Sequence, residues 1–84
     1  MRALVVVTPK LVVNDPQGNT VQQGLNFLGF TEVSRVRVGK YLELELSEAD
    51  RTRASSRVEQ MCQQLLANHV IEDYRFELEA DPAP

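Results

Sequence analysis

Cys62 and His69 are the only thiol and the only imidazole in the 84 residues, so any nucleophilic chemistry must begin with them. On one helix, seven positions apart, their backbones stand about 10 Å from each other, too far for a thiolate–imidazole pair. Cys62 also belongs to the row Ala54, Val58, Met61, Cys62, Leu65 and Leu66, whose helical spacing marks a buried side. A thiol there is a small core residue. His69 follows at the helix end, where an imidazole stabilises the terminus or faces solvent. Glu43 and Glu45 share one side of a strand about 7 Å apart. Paired carboxylates do acid–base work only inside a pocket, and the surrounding alternation gives a solvated or interface face instead. Asp15-Pro16-Gln17-Gly18 resembles a helix N-terminus that would hold an anion, but Asp15 would repel one, and its role is the cap. No Gly-rich phosphate loop and no His/Cys cluster with metal-ligand spacing can be found. The expectation is a chain with no catalytic residue, no metal site and no cofactor of its own.

Composition narrows the class further. With 43% apolar and 25% charged residues the chain is an ordinary globular one, and its length allows one domain with a marginal core. The net charge of −3, with nine Lys and Arg, argues against a binder of nucleic-acid backbones. Arg35, Arg37 and Lys40 form a small basic cluster, but neighbouring acids dilute it and no aromatic ladder accompanies it. A single cysteine excludes an internal disulfide and fits a reducing compartment. The opening MRALVVV is too short for a signal-peptide core or a membrane span. A cytoplasmic protein without membrane or nucleic-acid partners is expected.

The elements that must position these residues alternate along the chain. Residues 2–8 form a β-branched strand with apolar side chains on both faces, which places it centrally in a sheet. A helix follows, with Asp15 as N-cap, Pro16 at its first position and Gly29 as left-handed stop; Val21, Leu25 and Leu28 make its apolar stripe. From Val33 to Leu46 the pattern alternates, Val36, Val38, Leu42, Leu44 and Leu46 taking one parity. A hairpin at Gly39-Lys40 would oppose Val36 to Glu43 and set the apolar faces at odds. One strand, bent or bulged at Gly39, is therefore favoured. Such a strand spans about 46 Å, against a diameter of about 30 Å for a compact domain of this length, so it must bend sharply or protrude and invite a partner. A second helix opens at Ser47, with Asp50 completing an approximate capping box, and stops at Asn68. The last strand runs over 70–79, and 80–84 is a flexible tail. The expected fold is α+β, ordered β-α-β-α-β. It has a mainly antiparallel three-stranded sheet with two helices on one face, a long bent second strand and ferredoxin-like character. One domain over 1–79, dimer-forming because the first strand's other face lacks cover, completes the expectation.

Several stretches taken together resemble the PurS family. They are Asp15-Pro16-Gln17-Gly18, Gly29-Phe30, Arg37-Val38-Gly39-Lys40, Leu65-Leu66-Ala67-Asn68 and Glu72-Asp73-Tyr74, in the family's order and spacing over nearly the whole chain. That family is the small subunit of multi-subunit phosphoribosylformylglycinamidine synthase. Two departures lie in connectors: His69 stands where the family usually has proline, and Leu11-Val12 replaces a Pro-Gly pair. The resemblance implies a non-catalytic bridge in purine biosynthesis, itself a homodimer or higher homo-oligomer. It would dock a glutaminase subunit onto a large synthetase subunit, which uses ATP and magnesium, and would assist ammonia transfer between them.

Docking is expected near Arg37, Gly39, Lys40 and Tyr41 on the long strand, and at the corner of Asn68, Glu72 and Tyr74. The alternative from another class is a dimeric regulatory module that binds a small metabolite, an inference from fold-level analogy. A polar-lined pocket between protomers would distinguish it.

Overall fold

Eight residues, Arg2–Pro9, form β1, and their alternation decides which way the protein faces. In the computed structural model, which describes residues 1–80, β1 is the middle strand of a three-stranded sheet ordered β2-β1-β3. It is antiparallel to β2 (Lys40–Glu45) on one side and to β3 (Glu72–Glu79) on the other. The helices α1 (Pro16–Phe27) and α2 (Arg51–Met61) intervene, which gives the expected β-α-β-α-β order. Residues 81–84 of the anticipated tail lie outside the described residues. Among the described residues no helix is long and apolar enough to cross a membrane.

Ala3, Val5 and Val7 of β1 are fully buried, as are Ala54, Val58 and Cys62 of α2 and its extension. Leu42 and Leu44 of β2 and Tyr74, Phe76 and Leu78 of β3 pack around them on the same face. The core is thus one row of small β1 side chains pressed against one helix side. α1 contributes no side chain to it.

Local signals explain α1 well. The Asp15 carboxylate accepts from Gly18 N at 3.0 Å, and Pro16 occupies the first turn. At the other end Gly29 takes φ 103°. Its N–H donates to Asn26 O and that of Phe30 to Leu25 O, the paired bonds of a left-handed helix stop. The stripe of Val21, Leu25 and Leu28 nevertheless does not reach the sheet. Leu28 is 70% exposed and neighbouring Phe27 90%. α2 alone covers the sheet face.

The long second strand is where structure and expectation part. Its ladder runs only from Lys40 to Glu45, and 33–39 pairs neither with β1 nor back onto β2. At Gly39 the chain passes so close to β1 that a Cβ would lie 2.2 Å from Val7 O. Only glycine allows this crossing, and beyond it β1 has only Thr8 and Pro9 left, both paired to β3. The protrusion expected of a continuous strand is still present, carried by α1 and 33–39 together. The extents are 48 × 33 × 14 Å, and the radius of gyration of 16.5 Å exceeds the roughly 12 Å of a compact chain of this length.

Two helix ends also differ from the sequence reading. Asp50, not Ser47, caps α2, its carboxylate accepting from Arg53 N at 3.2 Å; an ionised oxygen is the stronger acceptor at a helix N-terminus. Asn68 is not left-handed, since among the described residues only Gly29 has positive φ. α2 instead runs on into one π turn, Cys62–Leu66, closed by Ala67 N–H on Cys62 O at 3.1 Å. The Asn68 side chain then accepts from Val70 N at 3.0 Å, and its carbonyl accepts from Ile71 and Glu72, turning the chain into β3.

Val58→Ala removes two buried methyl groups and is expected to lower stability by about 2 kcal/mol, read from urea unfolding. Val6→Ala, half-buried on the opposite face of β1, should cost less than half of that. Equal costs would place the core elsewhere.

Candidate partner-docking surface

Val7 faces α2, and its two cross-strand neighbours are Lys40 on β2 and Tyr74 on β3. Both therefore point towards the C-terminal end of α2. The Lys40 ammonium donates to Leu66 O at 3.2 Å, satisfying a carbonyl that the ending helix leaves free. The Tyr74 hydroxyl donates to the Glu59 carboxylate, which also receives Gln63 Nε2 at 2.9 Å. Glu72 accepts from Asn68 N at 2.8 Å. Five of the expected docking residues, Gly39, Lys40, Asn68, Glu72 and Tyr74, are thus brought to one end of the sheet around the π turn.

The other two lie apart. Tyr41 pairs with Val6 on the opposite sheet face, its hydroxyl 3.3 Å from a Glu43 oxygen. Arg37 sits in the unpaired 33–39 segment and donates to Pro9 O at 3.1 Å.

Glu59 and Gln63 were missed by sequence reasoning. Their spacing of four on a helix was visible, but the tyrosine that joins them comes from another element. The Tyr74 bond, and after it the Gln63 bond, holds the Glu59 carboxyl below its ordinary value of 4.5. The same bond raises Tyr74 above its ordinary 10.0. His69 is not on the helix; it stands in the turn beyond, with Nε2 3.0 Å from Gln63 O and its ring tilted against Tyr74 at 6.1 Å. Cys62 is fully buried, and its thiol is pushed up by burial and then by the Glu59 charge, which favours the unreactive protonated form. Among the described residues no group of three or more His, Cys, Asp or Glu could hold a metal ion. What the corner offers is a hydrogen-bonded edge.

Asp15 does more than cap. Its second carboxylate oxygen accepts from Val38 N at 2.8 Å, and this bond, ahead of the Gly18 one, lowers its pKa. Gln22 Nε2 donates to Ser34 O at 3.0 Å, and Asn26 Nδ2 to Phe30 O at 2.9 Å and Val33 O at 3.2 Å. Helix α1 and residues 33–38 are thereby stitched into one arm, and α1's apolar stripe has no cover from the core.

This construction is a known one. The family model for PurS, phosphoribosylformylglycinamidine (FGAM) synthase, matches residues 2–80. The chain belongs to the PurS family. It is 51% identical over 76 residues to the phosphoribosylformylglycinamidine synthase subunit PurS of Synechocystis, covering 90% of this chain and 76% of that one. Its fold superposes on the crystal structure of Methanocaldococcus jannaschii PurS with a TM-score of 0.83 at 38% identity, over 96% of this chain and 98% of the other. It is similar as well to a chain in the structure of PurLQS from Thermotoga maritima, with a TM-score of 0.79 at 28% identity over 90% and 94% of the two chains.

The Glu59–Tyr74 bond gives a pH prediction. A carboxyl held below its ordinary value stabilises the fold above pH 4.5 and loses that contribution as pH falls through its folded value. Tyr74→Phe should therefore destabilise the protein at pH 7, with the deficit shrinking towards pH 3 in thermal melts. A deficit independent of pH would assign the loss to packing alone.

Proposed function

We propose that the protein is a non-catalytic bridge in FGAM synthase, docking a glutaminase subunit onto the amidating synthetase subunit and assisting passage of ammonia between them. The observation that carries this reading is the membership of the PurS family together with the likeness to a chain of the Thermotoga maritima PurLQS structure. ATP and magnesium belong, in this reading, to the synthetase subunit. The protein acts in the cytoplasm, where purine nucleotides are made.

The physical form supports a connector. Ammonia reacts usefully only if kept unprotonated and away from bulk water, so a bridge works by sealing a junction. The docking edge is assigned to Gly39, Lys40, Asn68, Glu72 and Tyr74 at the π-turn corner, with Arg37 and Tyr41 as flanking contacts. The protein works as a homodimer or higher homo-oligomer, in which a second copy covers the α1 stripe. Burying Phe27 and Leu28, which are 90% and 70% exposed, would contribute about 3–6 kcal/mol before the cost of association. That is a sizeable fraction of the stability of a small domain.

Glutamine-dependent FGAM formation by the two partner subunits should require this chain, while ammonia-dependent formation should not. Equal glutamine-dependent rates with and without it would refute the bridging role. Lys40→Glu, which forfeits the bond to Leu66 O and reverses a charge at the corner, is expected to weaken binding of a partner subunit at least tenfold in gel filtration while the homo-oligomer persists. Undiminished binding would remove Lys40 from the docking edge.

A further inference from the structure

The face of the sheet turned away from α2 has a composition of its own. Cross-strand register sets Leu4 between Glu43 and Glu77, Val6 between Tyr41 and Arg75, and Arg2 between Glu45 and Glu79. The result is a short apolar floor in a charged frame of four glutamates and two arginines. Asp73, further along, is matched by Lys10 at 3.9 Å. Two of the chain's three net negative charges therefore lie within this frame. Leu4, Val6 and Tyr41 line a shallow depression there, with Arg75 and Glu77 at its rim.

The charges are not used up internally. Arg2 holds Glu79 at 2.8 Å and reaches Glu43 at 3.8 Å, fixing those two carboxylates in place. Glu45 and Glu77 take no ion pair among the described residues, and both are exposed.

We propose that this face docks a basic protein surface, one that presents Lys or Arg side chains around a single apolar group fitting the Leu4–Val6–Tyr41 depression. The proposal rests on the bridging function and gives one partner subunit its contact chemistry. Two copies laid face to face would oppose net negative to net negative, a like-charge juxtaposition that disfavours such pairing. The chain's own arm is a poor occupant too, because its two cations are already engaged on backbone carbonyls: Arg35 on Leu11 O and Arg37 on Pro9 O. A nucleic acid has the wrong sign. A basic partner would be steered to the face by its field, and the encounter would weaken with salt.

The test uses the double variant Glu45→Lys/Glu77→Lys, at positions that hold nothing in this chain. Titration calorimetry against the separate synthetase and glutaminase subunits, at low and at moderate salt, should show wild-type affinity for one of them falling as salt rises. The variant should bind that subunit at least tenfold more weakly at low salt and lose the salt dependence, with its own mass by light scattering unchanged. If the variant fails to fold, Glu45→Gln/Glu77→Gln carries the same test with a loss of about threefold. Unchanged affinity and salt dependence would overturn the assignment, and so would a drop in mass, which would give the face to a second copy. Wild-type protein that binds neither subunit would overturn the bridging function with it.

Discussion

A backbone ladder can be no longer than the strand that receives it, and β1 is short. Its last residue paired to β2 is Val7, opposite Lys40, where Gly39 lets the two backbones cross almost in contact. Residues 33–38, which have no strand to pair with, are held instead by side chains of α1 and its cap: Asp15 at Val38 N, Gln22 at Ser34 O and Asn26 at Val33 O. The crossing at Gly39 thereby divides the molecule. On one side lies a body of sheet and α2 with its own core. On the other lies an arm of α1 and its companion segment, well hydrogen-bonded but with its apolar stripe outside the core cluster.

This division explains how a protein with so little chemistry can have a function. The body buries its one thiol, ties its imidazole to a backbone carbonyl and engages Glu59 with a tyrosine. What remains available is surface: an apolar arm, a hydrogen-bonded corner at the π turn and a charged sheet face. In the proposed bridge each would meet a different neighbour. A connector between two enzymes needs at least two such surfaces and no reactive groups that compete with theirs.

Much of the fold was legible because its signals are local. Asp15, Pro16 and Gly29 bound α1 as their types require, and the alternation over 72–79 gives β3 its burial pattern residue by residue. The failures occurred where the deciding atoms are remote in sequence. The parity of 33–46 is continuous, but whether a strand forms depends on the length of β1, which no pattern within 33–46 contains. Asn68 has the type of a helix stop, yet Lys40 donates to the helix-end carbonyl of Leu66 and Glu72 accepts from Asn68 N, with no left-handed residue. The same remoteness hid the site: Lys40 and Tyr74 were singled out by resemblance, and only the register across Val7 shows that they meet at one end of α2.

The central claim is that the arm is completed by another copy of the chain. Hydrogen exchange of the α1 amides over a dilution series, with the mass followed by light scattering, tests it most directly. The account predicts slow exchange over 19–28 while the protein is oligomeric and rapid exchange once dilution yields monomer, with β1 still protected. A stable monomer at micromolar concentration whose α1 amides exchange as slowly as those of β1 would contradict it.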